Sequence, residues 1–221
     1  MDKGLVLVIV VVVTMVGIPG QAQESPIGPT STGADSTDAV APEVEPSAET
    51  TNLNLHDPER GVAAYFWPLL GVAATNGVWW LTSRFIIDAE WARISAESIR
   101  NNFETGFVFD EDHFFINQFG HPYQGAYYHT SARAAGLHFW ESVPYVVLGS
   151  LAWEFLLENV PPSLNDFVTT SFGGVVMGEI LFRLANQVLD DSSRNGERVW
   201  RELVGFLINP VNGFARLFSG E

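Results

Sequence analysis

The stretch from His113 to Arg183 places ionisable side chains inside segments that are otherwise apolar and aromatic. Four of the five histidines of the chain lie in it, together with several carboxylates. Burying such groups costs free energy unless they are paired, hydrogen-bonded or bound to a metal. The fold of this chain must therefore accommodate either a buried polar network or a functional site.

Two pairs of residues in this stretch have helical spacing. Glu154 and Glu158 are four residues apart and are expected to face the same way on one helix. Their like charges imply a counter-charge, a metal ion, a shared proton or exposure to water. Glu179 and Arg183 have the same spacing, in the order that favours an ion pair within a helix.

The histidines follow no fixed metal-binding motif. His113, His121 and His129 are eight residues apart, so we expect them to converge only in three dimensions, if at all. The chain has no HExxH motif and no cysteine, which excludes disulfides and cysteine-based metal sites. The sequence does not identify a cofactor.

These residues form two candidate sets, and the sequence leaves their role open between catalysis and structure. A site would bind a metal or move protons, whereas a structural network would fix the register of the helices. The candidates for catalysis or metal binding are His113, His121, Glu154, Glu158 and Asp166. The candidates for a supporting network are Tyr123, Arg133, Ser163, Glu179 and Arg183, with Ser163 expected to cap a helix whose first turn holds Asp166.

The first 55 residues are not predicted to be part of a folded domain. Lys3 precedes an apolar run, and Gly20 and Ala22 follow at the positions that signal peptidase requires, so residues 1–22 are predicted to be a signal peptide rather than an uncleaved anchor. Residues 23–55 lack lysine, arginine and aromatic residues and are predicted to be a disordered linker. We therefore expect export across the inner membrane to the periplasm or an envelope membrane.

The remaining residues, 56–221, are predicted to form one all-α domain. All tryptophans and phenylalanines lie here, and helical spacing is common, so we expect a compact bundle of five to seven helices. Small residues at helical spacing predict close helix packing; they include Gly125, Ala132, Gly136, Gly173, Gly174 and Gly178. Residues 61–83 carry no charge, which predicts either membrane association or a buried helix.

The charge of the chain limits its partners. A net charge of −15 argues against nucleic acid, because binding phosphate requires clustered Lys and Arg. The nucleotide-binding motifs and the GxSxG motif are absent from the sequence. Membrane or envelope lipid is the expected partner, and a protein partner, contacting an aromatic surface, is the alternative.

Several segments resemble known families. The runs HPYQG, PSLND and INPVNGFARLFSG, within about Asp110 to Gly220, resemble a bacterial envelope family catalogued as domain of unknown function 3943. This resemblance implies a secreted, helix-rich domain with no assigned activity. A weaker likeness to the VanZ-like membrane family rests on Asp112, His113, Glu154, Ser163, Asp166, Gly174 and Gly178.

The leading hypothesis is a non-enzymatic envelope domain with a buried network of histidines and carboxylates. The alternative is a metal- or proton-transfer-dependent enzyme that acts on a lipid or cell-wall precursor at the membrane.

Overall fold

The computed structural model describes residues 61–111, 114–190 and 193–219. The predicted signal peptide, the predicted linker and His113 lie outside the described residues. The described part of the chain contains no β-strand, apart from an isolated bridge between Val108 and Ser163. Its seven helices are α1 (Ala63–Leu81), α2 (Ala96–Thr105), α3 (His121–Ala134), α4 (Phe139–Leu156), α5 (Leu164–Val188), α6 (Asn195–Ile208) and α7 (Pro210–Ser219). The predicted all-α bundle is therefore confirmed.

Three segments of wider, π-helical turn interrupt or extend these helices. They are Thr82–Ile87 after α1, Ile116–Gly120 before α3 and Thr169–Gly173 within α5. Such turns are rare and occur frequently at functional sites. The one within α5 lies against the start of α3, where the candidate residues gather.

Helix α3 is the centre of the bundle. Twelve of its residues are buried, and it packs against α1, α4, α5 and α7. On one side of it, Tyr128 and Ala132 contribute to an apolar core with Val72, Leu137 and Val146. The helix that is rich in polar and small residues is therefore the one that the other helices enclose.

Glycines allow α3 and α5 to approach each other closely. A Cβ added to Gly125 would lie 2.0 Å from the Thr170 carbonyl oxygen, and one added to Gly174 would lie 2.5 Å from the Gly125 Cα. Close approach at small residues is the packing that the spacing predicts. The spacing predicts Gly136 on the same face, but Gly136 lies in the turn after α3 with a φ of +83°, and no atom of the described part of the chain lies within 4 Å of an added Cβ. Its role is to permit the turn, because a positive φ favours glycine.

Candidate metal centre

Three candidate residues from three helices converge at one end of the bundle. His121 is the first residue of α3, Glu154 lies in the last turn of α4, and Asp166 lies in the first turn of α5. One potential ligand atom from each lies within 4.8 Å of the other two. All three residues are buried, and Glu154 is only 1% exposed. The sequence spacing of 33 and 12 residues between them gave no sign of this convergence.

The connection between α4 and α5 holds both carboxylates in place. Pro161 and Pro162 stop any continuation of α4, and Ser163 then begins α5 as its N-cap. The Ser163 hydroxyl accepts a hydrogen bond from the Asp166 amide at 3.2 Å. The Ser163 amide donates to Glu154 Oε2 at 2.8 Å. A single residue therefore fixes the position of Asp166 and of one oxygen of Glu154.

His121 is oriented by a contact at each ring nitrogen. Its Nε2 lies 3.4 Å from Asp166 Oδ2, and its Nδ1 lies 3.1 Å from the hydroxyl of Thr170 in the π-helical turn of α5. When Nδ1 carries the proton and donates to Thr170, the lone pair of Nε2 points toward the two carboxylates. This is the tautomer that a metal ion needs, and metal-bound histidines are typically held by such a second contact.

The electrostatics of the cluster favour a positive charge at Glu154, either a proton or a metal ion. Burial lowers the pKa of His121 from 6.5 to about 4, against an opposing effect of Asp110, so the imidazole is neutral at pH 7. Burial and then the charge of Glu158 raise the pKa of the Glu154 carboxyl from 4.5 to about 9. Glu154 Oε1 is buried and has no hydrogen-bond partner among the described residues. A buried oxygen without a partner is costly, and a bound cation would supply the missing partner.

One separation in the cluster suits a divalent metal ion, and the other pairs of ligand atoms lie within 4.8 Å. Ligand atoms bound at about 2.1 Å to a tetrahedral zinc ion lie about 3.4 Å apart. The separation of His121 Nε2 and Asp166 Oδ2 is 3.4 Å. One imidazole and two carboxylates form a donor set for zinc, manganese or ferrous iron, whereas calcium and magnesium prefer oxygen ligands alone.

Glu158, the fifth candidate for this site, does not join the three ligands. Helix α4 ends at Leu156, so Glu158 no longer shares a helical face with Glu154, and the prediction that both face the same way is wrong. Its Oε1 accepts a hydrogen bond from the Trp153 indole at 2.8 Å. Its influence on the site is electrostatic, because its charge raises the pKa of Glu154.

A second cluster lies further along α3 and α5. Glu179 accepts a hydrogen bond from Arg183 at 2.7 Å, lies 3.0 Å from the Arg133 Nε and lies 3.1 Å from the His129 Nε2. The Arg133 guanidinium also stacks 4.5 Å from the centre of the Phe182 ring. The expected pair of Glu179 and Arg183 is thus part of a larger group that links α3 to α5.

The sequence patterns did not predict a third polar cluster, which lies between α1, α3 and α4. The Tyr128 hydroxyl donates to Asn76 Oδ1, and Gln124 Nε2 donates to the Tyr128 oxygen at 2.7 Å. Asn76 in turn donates to the Gly149 carbonyl at 3.2 Å. A single asparagine within the uncharged run of α1 was the signal available in the sequence. These contacts join α1, α3 and α4 through buried amides.

Tyr123 lies away from all three clusters. Its ring packs edge-to-face on Tyr127, with centroids 5.3 Å apart, in an apolar group that includes Val211. The histidine at the start of α4, His138, acts as a helix cap: its amide donates to Glu141 Oε2 at 2.7 Å. Neither residue contributes a ligand to the candidate metal centre.

Comparison with known proteins matches one segment of the chain to a family model. No curated protein and no solved structure matches it. The matching family model covers residues 106–211, which include all three candidate ligands, and the resemblance expected from the sequence is confirmed. The segment from residue 106 to residue 211, a little under half of the chain, therefore matches the family described as Domain of unknown function (DUF3943).

Proposed function

We propose that this protein is a metal-binding domain of the cell envelope, which holds a divalent ion between His121, Glu154 and Asp166. The observation that carries the proposal is the buried Glu154 Oε1, which lacks a hydrogen-bond partner among the described residues although Glu154 lies beside a neutral imidazole and a second carboxylate. The raised pKa keeps a proton on the Glu154 carboxyl at pH 7 when no ion is bound, and a bound cation would displace that proton and satisfy the oxygen.

The ligand set also supports an enzymatic role for the ion. Three protein ligands are the number found in catalytic zinc sites, where water or substrate takes the remaining position. A metal-bound water is a nucleophile at neutral pH, so hydrolysis is the reaction class that fits. With the predicted signal peptide, this favours a lipid or cell-wall precursor in the envelope as the substrate.

The structural hypothesis fits the Glu179 cluster better than the metal centre. There, one carboxylate faces two arginines and a histidine, so its charge is already compensated without a metal. We propose that this cluster fixes the register of α3 against α5. Under this proposal, the two hypotheses drawn from the sequence concern two different groups of residues.

Elemental analysis of the full chain tests the metal proposal. The purified protein is equilibrated with Zn²⁺ or Mn²⁺, and unbound ion is removed by gel filtration. We expect a single ion per chain in the wild type and its loss in His121→Ala, Glu154→Gln and Asp166→Asn.

Glu141→Gln is the matched control, because Glu141 lies on the same helix as Glu154 but caps its other end. This variant should keep the ion. Wild-type protein without a stoichiometric ion, or three variants that still bind it, would contradict the proposal. Removal of the ion by a chelator, followed by circular dichroism, separates a catalytic ion from one that the fold requires.

A further inference from the structure

The outer helices of the bundle expose apolar stripes. On α5 the exposed side chains recur every four residues, and Phe172 is 75% exposed. The same spacing appears on α6, and α1 exposes a further group near its start. The stripes are Phe172, Val176, Ile180 and Leu184 on α5, Val199, Leu203 and Leu207 on α6, and Phe66, Leu69 and Leu70 on α1.

The interior of the bundle has the opposite character. The enclosed helix α3 buries Gln124, His129, Thr130 and Ser131, and further hydroxyl and amide groups are buried on the helices around it. In a protein surrounded by water, the enclosed helix is apolar and the outer faces are polar. Here the polar helix is enclosed and the apolar faces are outside, which is the arrangement expected in a lipid environment.

Length and charge agree with a lipid environment. By length and composition, α5 is the one helix among the described residues that could cross a membrane. Its stripe from Phe172 to Leu184 extends about 18 Å at 1.5 Å per residue. No charged residue occurs between Asp166 and Glu179, or between Arg60 and Arg84 along α1. The candidate metal ligands lie at helix ends, outside these uncharged segments.

We propose that the exposed stripes of α1, α5 and α6 contact the acyl chains of a lipid bilayer, with α3 sheltered between them and its neighbours. A protein partner would have to match the shape of three helices at once, whereas acyl chains cover such surfaces without a matching shape. Arg183, beside the stripe of α5, lies near the end of that helix and pairs with Glu179. A charged side chain at a helix end can reach the interface in this way. This inference is independent of the metal centre.

The absence of cysteine allows a direct test. Single cysteines are introduced at Phe172→Cys and Val176→Cys on the stripe, with Asn101→Cys on the polar helix α2 as the control, since Asn101 is also exposed. The full chain is reconstituted in phosphatidylcholine vesicles, whose neutral surface excludes an electrostatic contribution. Membrane-impermeant maleimide is then added, and the same samples are labelled after solubilisation in denaturing detergent.

We expect the stripe cysteines to lose labelling in vesicles and regain it in detergent, while Asn101→Cys reacts in both. Stripe cysteines that react in vesicles as fast as the control would overturn the proposal. Spin labels attached at the same cysteines identify what covers the stripe. Frequent collisions of the label with oxygen, which dissolves in lipid, but not with a water-soluble nickel chelate would support contact with acyl chains. Dipolar broadening from a second copy, or protection without oxygen collision, would instead assign the surface to protein.

Discussion

Gly125→Ala is the substitution that most clearly connects the fold to the candidate site. The added Cβ would lie 2.0 Å from the Thr170 carbonyl oxygen and 2.8 Å from the Gly174 Cα. Both are backbone atoms of α5, which a side-chain rotation cannot move. Ordinary contact begins at 3.4 Å, so α3 and α5 must separate by roughly 1 Å to accept the methyl group.

The added methyl group is expected to lower the free energy of unfolding, because it overpacks the interface between α3 and α5. Inserting a methyl group into a closely packed interface costs about 1–3 kcal/mol, and this contact lies at the severe end because backbone must move. The same movement displaces Thr170, whose hydroxyl holds the Nδ1 of His121. Gly125→Ala should therefore reduce both the free energy of unfolding and the affinity for the metal ion.

Gly77→Ala is the matched control. Gly77 lies within α1, and a Cβ added there would have no atom of a described residue within 4 Å. Alanine is favoured over glycine inside a helix by about 1 kcal/mol, so this variant should be as stable as the wild type or more so. Denaturant unfolding followed by circular dichroism measures both variants. Equal stability of Gly125→Ala and Gly77→Ala would refute the close packing of α3 on α5.

Three further substitutions test the polar clusters by the same unfolding assay. Tyr128→Phe removes the hydroxyl shared by two buried amides and should cost about 1–3 kcal/mol, and an unchanged stability would show that the amides find other partners. Ser163→Ala removes the cap of α5 and should cost about 1 kcal/mol while weakening metal binding, an effect that equilibrium dialysis with Zn²⁺ measures. Glu179→Gln leaves the largely buried Arg133 guanidinium without its carboxylate and should cost about 3 kcal/mol. Arg183→Gln, whose side chain is 70% exposed, should cost at most about 1 kcal/mol, and equal losses would contradict a buried cluster that fixes the register of α3 against α5.

The fold was largely predictable because its signals are local. Pro161 and Pro162 followed by Ser163 predict a break between two helices: α5 does begin after Ser163, whereas α4 already ends at Leu156, before the prolines. The glycines of α3 and α5 predict close packing, and they meet in the bundle. Gly136 was assigned to that face wrongly, because its spacing fits a helix that has already ended.

His121, Glu154 and Asp166 were all candidates from the sequence, but the sequence did not indicate that these three residues meet. Sequence spacing assigns Glu154 and Glu158 to one face, yet the end of α4 separates them. His121 and His129 look equivalent, but the bundle places one with Asp166 and the other with Glu179. Which polar groups meet depends on how α3 lies against α5, and this contact is not encoded within any one segment.

Anomalous X-ray diffraction at the zinc absorption edge, from crystals of the protein equilibrated with Zn²⁺, would show directly whether an ion lies between the three residues. We expect an anomalous peak within about 2.0–2.2 Å of His121 Nε2 and of an oxygen of each carboxylate, Glu154 and Asp166. A zinc-equilibrated crystal with no peak between these three residues would contradict the proposed metal centre.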